Sequence, residues 1–296
     1  MLIIAVTSRA LFDFTEENSV FERDGLDAYQ TYQRKHENQP LKKGTCFSLV
    51  DKLLQLNRHS DTPLIEIILC SRNSADTGLR VFNSIAHYEL PITRAFFTDG
   101  QPVHRYLQAY HVALFLSANE EDVAAAVNGG IAAATMLSPP TVSIPDHQPQ
   151  LRIAFDADCV LFSDAPERIH QEQGLEAFIQ SERINAHISL DDGPFTSFLR
   201  AFGEIQQSLP DRQLIRTALV TARSAPAHER VIRTLRHWNV VIDESFFLGG
   251  YDKSHILSIY QPDIFFDDLR ENCRRSAHAV PTGHVPYGVT NQVVCE

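Results

Sequence analysis

Residues 151–167, LRIAFDADCVLFSDAPE, begin as a buried strand and continue into acidic residues. The apolar run Ile153–Phe155 predicts the strand. Asp156 and Asp158 follow at alternate positions, and neighbours i and i+2 of a strand point to one face. We therefore expect both carboxylates to emerge together at the carboxyl end of this strand. Because two close carboxylates repel each other, the pair favours a divalent cation or a proton held on one of them.

Strand-like and helix-like segments alternate along the whole chain, which predicts crossover units and α/β architecture with mainly parallel sheets flanked by helices. The composition, with 44% hydrophobic and 21% charged residues, is ordinary for a globular protein. Besides Ile153–Phe155, the predicted strands are Leu2–Val6, Pro63–Cys70, Pro91–Phe97, Ala113–Leu116, Ile131–Met136, Ile215–Val220 and Ile264–Phe266.

The pattern of the first half recurs in the second half. Residues 69–75, LCSRNSA, align with residues 219–225, LVTARSA, at an offset of 150. At the same offset, residues such as His87, Tyr110 and the pair Phe96-Phe97 have identical counterparts. A fixed offset over chemically distinct residues predicts an internal duplication. We expect one unit at 1–137, a proline-rich linker at 138–150 and a second unit at 151–296.

Residues suited to phosphate chemistry follow the strands of the second half, and in an open parallel sheet the carboxyl ends of the strands form the binding site. A carboxylate can attack phosphorus, and a second one can move protons to the leaving group and from water. Mg²⁺ prefers hard oxygen ligands, and a hydroxyl and an ammonium group suit phosphate oxygens. The residues in question are Asp156, Asp158, Thr221, Lys253, Asp267 and Asp268.

This ordered set of four motifs resembles the haloacid dehalogenase superfamily. The segments SRALFD, SRNSADTGLRVFNSIAHY, SANEEDV, FDADCVLFSD, TARSAPAHERVIRTLR and IFFDD are similar to those of the cytosolic type I 5'-nucleotidase family across nearly the whole chain. The resemblance implies two tandem haloacid-dehalogenase-like Rossmannoid units, each with a helical cap after its first strand. It also implies Mg²⁺-dependent hydrolysis of nucleoside 5'-monophosphates such as AMP through an aspartyl-phosphate.

The resemblance implies a role for each motif residue. Asp156 corresponds to the nucleophile, and Asp158 corresponds to the general acid and base whose backbone carbonyl also reaches the metal. Thr221, Ala222 and Lys253 correspond to phosphate-binding positions, although a Thr before a helix is also a common N-cap. Asp267 or Asp268 corresponds to the remaining metal ligand. Cys159 departs from the superfamily, which often has Gly there, and we expect it to be a buried small hydrophobe.

The first half lacks these reactive groups. Asp156 aligns with Thr7, Asp158 with Arg9, Lys253 with Val103, and the acidic pair with Ser117-Ala118. We therefore predict that residues 1–137 are not catalytic. One interpretation makes this unit a structural partner, and the other makes it a regulatory anion or nucleotide pocket. The residues of that pocket would be Arg9, Ser71, Arg72, Asn73 and Ser117.

The segment of about 165–213 is long for a strand–helix connection, and the resemblance interprets it as a cap over the site. Phe195 and Phe198 could stack on a base, although aromatic residues at helical spacing also form cores. Arg223 could contact phosphate or sugar, or form a salt bridge. These three residues are the candidate substrate contacts of the second half.

Charge and cysteine usage limit the partners. The net charge of −11 argues against a nucleic-acid polymer or an anionic membrane surface. The five scattered cysteines are typical of a reducing compartment. No basic leader precedes the strand-like start, so we expect no secretory signal and a cytoplasmic location. Three alternatives stay open. The chain could form a homo-oligomer, it could act on another small phosphomonoester, or it could be a nucleotide-binding protein with vestigial catalysis.

Overall fold

A computed structural model describes residues 1–137 and 149–291. Residues 138–148 of the expected linker lie outside the described residues. The strands of the first half are β1 (Leu2–Thr7), β2 (Phe12–Asp13), β3 (Lys42–Lys43), β4 (Ile65–Ser71), β5 (Arg94–Phe97), β6 (Leu114–Ser117) and β7 (Ala132–Met136). The helices are α1 (Ser8–Leu11), α2 (Thr15–Lys35), α3 (Phe47–Gln55), α4 (Ala75–His87), α5 (His104–Leu107) and α6 (Glu120–Asn128).

The second half contains the same kinds of element. Its strands are β8 (Leu151–Phe155), β9 (Ile215–Thr221), β10 (Glu244–Phe247), β11 (Ile264–Asp267) and β12 (Thr282–His284). Its helices are α7 (Ala165–Ile184), α8 (Thr196–Ser208), α9 (His228–His237), α10 (Ser254–Tyr260) and α11 (Arg270–Ser276). Among the described residues, no helix is both long and apolar enough to cross a membrane.

One mainly parallel sheet of ten strands runs through both halves, in the order β10-β9-β8-β11-β12-β7-β6-β1-β4-β5. On each side of the junction the first strand of that half lies in the middle: β1 has β4 and β5 on its outer side, and β8 has β9 and β10. The junction between β7 and β12 is antiparallel, whereas the other neighbours in this sheet are parallel. The expected α/β architecture with mainly parallel strands is confirmed, and the terminal strands of the two halves pair with each other to make one sheet.

The junction brings the carboxyl ends of strands from both halves close together. Strands β7 and β12 pair through their last residues, with Thr135 opposite His284. Thr135 also pairs with Ser117 of β6, and His284 pairs with Asp267 of β11. The ends of β6 and β11 are thus three strand spacings apart, about 14 Å.

Helices cover both faces of the sheet. On one face a single apolar core extends through both halves, from Ile4 and Ile67 to Ile153 and Phe266. On the opposite face each half has its own smaller core, because the apolar residues of β1 and β8 alternate between the two faces. The result is a three-layer α/β/α arrangement.

The expected cap at about 165–213 divides into two parts. Helix α8 lies in the core, with Phe198 and Phe202 almost fully buried, so it flanks the sheet. Helix α7 is mostly exposed and bends at Gly174, whose φ of 86° is favourable for glycine. Helix α2 of the first half bends in the same way at Gly25. Only α7 therefore remains a candidate for the cap.

Two glycines at matching positions of the two halves, Gly44 and Gly193, lie so close to other backbone atoms that a side chain would not fit. A Cβ at Gly193 would lie 2.5 Å from the carbonyl oxygen of Phe162, and one at Gly44 would lie 2.6 Å from the carbonyl carbon of Phe12.

We expect Gly193→Ala to lower the free energy of unfolding by about 1–3 kcal/mol through overpacking. Gly203→Ala is the matched control, because a Cβ on Gly203 of α8 meets nothing within 4 Å. Urea denaturation of both variants tests this, and equal stabilities would contradict the prediction.

Candidate active site

Three buried carboxylates meet at the carboxyl ends of β8 and β11. Oxygen atoms of Asp156, Asp267 and Asp268 all lie within 4.8 Å of one another. Asp156 follows β8 directly, and its backbone N–H donates to the carbonyl of Phe266 at 2.8 Å, which ties the two strand ends together. In the described residues this is the one group of acidic, His or Cys side chains close enough to share a metal ion. The donor set of hard oxygens suits Mg²⁺ or a similar cation.

Lys253 supplies the positive charge within this cluster. Its Nζ lies 2.8 Å from Asp156 Oδ2 and 2.7 Å from Asp267 Oδ2, and the side chain is buried. Burial opposes the charge on Lys253, but the two carboxylates outweigh it and raise its pKa. Burial likewise raises the pKa of Asp156, with Lys253 opposing the shift. Three acids thus share one lysine, which leaves excess negative charge for a divalent cation to neutralise.

The two acids of the pair Asp267-Asp268 have different surroundings. Both oxygens of Asp267 are engaged, since Oδ1 accepts from the Leu269 N–H at 2.8 Å and Oδ2 accepts from Lys253. Asn272 contacts both oxygens as well, at 3.2 and 3.3 Å. Asp268 accepts from Thr290 through Oδ2 at 2.8 Å. The other carboxylate oxygen of Asp268 has no hydrogen-bond partner among the described residues.

Asp158 is held by an arginine and lies outside the acidic cluster. Arg223 donates to both carboxylate oxygens of Asp158, each at 2.7 Å. Arg223 also pairs with Glu182 of α7, which in turn accepts from Arg230 at 2.7 Å. Burial opposes the charge on Arg223, but Asp158 and Glu182 outweigh it and raise its pKa. This network connects the site to α7, and it corresponds to the salt bridge that was one of the two alternatives for Arg223.

Thr221 and Ala222 lie at the end of β9, next to β8 in the sheet. Thr221 is buried, and its Oγ1 accepts from the Arg223 N–H at 3.1 Å. The adjacent Ala222 is exposed. Thr221 therefore does not cap a helix, because α9 begins only at His228.

Phe195 and Phe198 do not reach a ligand. Both are almost fully buried, and the ring of Phe195 packs against Phe266 with centroids 4.7 Å apart. The suggestion that they stack on a base is wrong, since both rings are enclosed in the hydrophobic core. A ring that sequence reasoning missed is Phe178 of α7, whose centroid lies 5.2 Å from the Arg223 guanidinium carbon.

Cys159 is a buried small residue, as expected. Its φ is 61°, in the left-handed region that favours glycine. Its side chain packs beside Gly288, where a Cβ would lie 2.8 Å from Cys159 Sγ. Burial raises the pKa of the thiol, so Cys159 is not a reactive thiolate.

The residues singled out in the first half line a separate cavity of about 400 Å³. Arg9, Ser71, Arg72, Asn73 and Ser117 all contribute to its walls. Arg72 is directed toward Asp122, with Nε 2.7 Å from Oδ2. Ser117 accepts from the Asn119 N–H at 3.0 Å. The position equivalent to the acidic cluster is thus polar and without a group of three acids among the described residues.

Several residues that complete the second-half site were not evident from the sequence. Glu182 of α7 lies 24 residues after Asp158 in the sequence and contacts Arg223. Thr290 and Asn291, at the end of the described chain, contact Asp268. Sequence spacing gives no sign of such contacts, because they depend on where α7 and the last segment lie. Asn272 carries a weak signal, since it lies in the first turn of α11, four residues after Asp268.

Comparison with known proteins agrees with this geometry. The family model described as 5'-nucleotidase matches residues 1–292. Human cytosolic 5'-nucleotidase 1B is 39% identical over 279 residues, which cover 90% of this chain and 46% of that protein. The chain therefore spans about half the length of this curated relative.

Among solved structures, a histidinol dehydrogenase from Elizabethkingia anophelis aligns with 96% of this chain and 79% of its own. Its TM-score of 0.23 and its identity of 9% are too low to support any conclusion about fold or function. The family model, which matches nearly the whole chain, decides the membership instead. By this match the chain belongs to the 5'-nucleotidase family.

Proposed function

We propose that this protein is a Mg²⁺-dependent 5'-nucleotidase that hydrolyses nucleoside 5'-monophosphates to nucleoside and phosphate. The observation that carries the proposal is the meeting of Asp156, Asp267 and Asp268 around Lys253 in a member of this family. The name of the human relative supports 5'-nucleotide substrates and a cytosolic location, which we propose for this chain as well.

In the proposed reaction, Asp156 is the nucleophile. Its carboxylate forms a bond to phosphorus while the bond from phosphorus to the nucleoside 5' oxygen breaks, giving an aspartyl-phosphate. Asp158 gives its proton to the leaving 5' oxygen. In the second step Asp158 takes a proton from water, whose oxygen attacks phosphorus and releases phosphate and Asp156. Ala157 donates its backbone N–H to Asp156 Oδ1 at 2.7 Å and holds the carboxylate in place.

The phosphate-binding groups of the proposal are Thr221, Ala222 and Lys253. The Lys253 ammonium lies against Asp156 and suits the charge that develops on the phosphoryl oxygens. The exposed backbone at Ala222 offers an N–H group at the end of β9. Thr221 adds a hydroxyl at the same strand end.

Asp156 and Asp268 are the side chains that would hold Mg²⁺, together with the backbone carbonyl of Asp158. Asp267 is engaged by Lys253 and Leu269, so we assign it to holding the lysine rather than to direct ligation. A bound Mg²⁺ would neutralise charge on the phosphoryl group and on the acids around it.

The substrate selectivity of the proposal rests on α7. Phe178 lies near Arg223, and Leu175, next to the bend at Gly174, is 59% exposed. These two side chains replace Phe195 and Phe198 as candidate contacts to the base. Their apolar surface favours a substrate with a flat apolar group over a simple sugar phosphate.

The two halves have features that favour a tandem duplication with a non-catalytic first unit. Matching glycines at 25 and 174 bend α2 and α7, and those at 44 and 193 approach the backbone of preceding residues. The strand orders on the two sides of the junction also correspond. We propose that residues 1–137 derive from the same ancestral unit as residues 151–296 and have lost the nucleophile.

Phosphate release from a panel of monophosphates, measured with Mg²⁺ and with EDTA, tests the proposed function. We expect release from nucleoside 5'-monophosphates in Mg²⁺, little from ribose 5-phosphate, and none in EDTA. Equal rates for all esters would point to another phosphatase of the superfamily. No release from any ester would refute the proposal.

Arg223 is expected to position Asp158. In Arg223→Lys the two-point contact with Asp158 is lost, so we expect kcat to fall by up to roughly 100-fold, the effect of a misplaced catalytic group. Arg230→Lys is the matched control, because Arg230 contacts Glu182 and lies in the same network but makes no contact with Asp158. Steady-state phosphate release measures both variants. Equal losses in the two would contradict a specific role for Arg223.

A further inference from the structure

The cavity in the first half has the features of a ligand site that needs no metal. Its volume of about 400 Å³ is within the range of small-molecule sites. Its position corresponds to the catalytic site of the second half, at the ends of β1, β4 and β6. The alignment replaces every acidic residue of the second-half site in this place with a neutral or basic one.

Several hydrogen-bond donors in the cavity wall have no acceptor among the residues that the structure describes. Thr7 is nine-tenths buried, and its hydroxyl makes no hydrogen bond with any described residue. The side-chain NH₂ group of Asn73 is also buried and without a partner in the described part of the chain. Arg9 is exposed in the same wall and makes no hydrogen bond or ion pair within residues 1–137 and 149–291. Buried donors without acceptors are costly, and a bound group with several acceptor oxygens would satisfy them.

The acids in the wall do not oppose a bound anion. Asp122 is neutralised by Arg72, and its Oδ1 accepts from the Val103 N–H at 3.0 Å. Asp99 is exposed to solvent at the edge of the cavity. Helix α4, with 13 residues, begins at Ala75 beside Asn73 and Ser74, so its positive end faces the same region. The two arginines and two aspartates of the wall balance in charge, so the groups that suit an anion are the unsatisfied donors and the start of α4.

The opposite side of the cavity is apolar. Phe14, Phe21 and Leu26 contribute to the wall, and the last two are 46% and 56% exposed. Phe21 also packs edge-on against Tyr29, with ring centroids 6.0 Å apart. A ligand with a charged end and a flat apolar end would cover these side chains.

We propose that the first half binds a nucleoside phosphate in this cavity without a divalent metal ion. The phosphate oxygens accept from Arg9, Thr7 and Asn73, and the base lies against Phe21 and Leu26. This site is separate from the catalytic site of the second half, and its existence does not depend on the activity proposed there.

Calorimetric titration of the full chain with AMP in EDTA tests the proposal in an Asp156→Asn background, in which the nucleophile is absent. We expect one AMP to bind per chain, and adenosine to bind at least about tenfold more weakly, since a charge-assisted hydrogen bond is lost with the phosphate. Arg9→Ala should raise the Kd for AMP by about tenfold or more, and Thr7→Val should raise it several-fold. Arg34→Ala, an exposed arginine of α2 that pairs with Asp76, is the matched control and should leave the Kd unchanged.

Two results would overturn the proposal. One is an absence of AMP binding in EDTA. The other is binding that ignores both Arg9→Ala and Thr7→Val but weakens in Thr221→Val, which would place the ligand in the second half. Because Arg9 is exposed and Thr7→Val preserves side-chain shape, loss of folding is not an expected outcome, and thermal unfolding checks it. Failure of this site would leave phosphate release with Mg²⁺ unaffected, so the two proposals are tested separately.

Discussion

Asp156→Asn should reduce phosphate release from AMP by at least about 10⁴-fold, because the amide cannot form the aspartyl-phosphate. The expected fold of the variant is unchanged. Lys253 keeps Asp267 as a partner at 2.7 Å, and the substitution removes one of three buried acids that repel one another. Phosphate release in saturating Mg²⁺ and thermal unfolding in EDTA together measure both effects.

The matched control for this substitution is Asp192→Asn. Asp192 is a surface acid that pairs with Arg200 at 2.9 Å, outside the acidic cluster, and an exposed pair of this kind contributes little to stability. Its activity should equal that of the unmodified chain. Mass spectrometry after brief exposure to substrate adds a direct readout, since a phosphorylated aspartate should form with Asp156 present and be absent in Asp156→Asn. Activity that survives Asp156→Asn would refute the nucleophile assignment.

Much of the fold follows from local sequence pattern. The bounds predicted for the strands at Leu2–Val6, Ile215–Val220 and Ile264–Phe266 agree with β1, β9 and β11 to within one residue. Strand β5 begins at Arg94 rather than at Pro91, because proline has no N–H group to donate to its neighbour strand. The alternation of apolar strands and amphipathic helices is a local property, so it can be recognised without knowledge of the tertiary structure.

The arrangement of the two halves could not be predicted in the same way. The β7–β12 junction involves two residue pairs, and nothing in the sequence of either strand specifies an antiparallel partner from the other half. The burial of Phe195 and Phe198 could not be predicted either, since aromatic residues at helical spacing occur both in cap helices and in core helices. The structure decides between them, because Phe195 packs against Phe155 and Phe266 of the sheet and Phe198 packs against Phe195.

The residues of the candidate site likewise divide into those that could be predicted from the sequence and those that could not. Asp156, Lys253 and the acidic pair were identified because each lies at the end of a predicted strand or the start of a helix, and the structure brings these four together. The partners of Asp158 and Asp268 were not identified, because α7 and the segment after β12 reach the site only through tertiary folding. Ordered sequence motifs therefore identify the reactive groups, whereas the residues that position those groups become evident only from the tertiary structure.

Lys253→Met should abolish phosphate release and make the stability of the protein strongly dependent on Mg²⁺. Removal of the ammonium leaves three buried carboxylates without a cation, and breaking a buried ion pair costs about 3–5 kcal/mol. A divalent cation bound by Asp156 and Asp268 would supply part of the missing charge. Urea denaturation in EDTA and in Mg²⁺ should therefore show a larger gain from Mg²⁺ in Lys253→Met than in the unmodified chain.

A second buried lysine separates the charge effect from a general loss of packing. Lys52 lies 2.8 Å from Asp263, and both side chains are largely buried at a place away from the acidic cluster. Lys52→Met should destabilise the protein by a similar mechanism, but its deficit should be the same in EDTA and in Mg²⁺, because a single carboxylate does not bind the cation tightly. If the two variants responded equally to Mg²⁺, the cation would not be bound at Asp156 and Asp268, and the metal site proposed for this chain would be wrong.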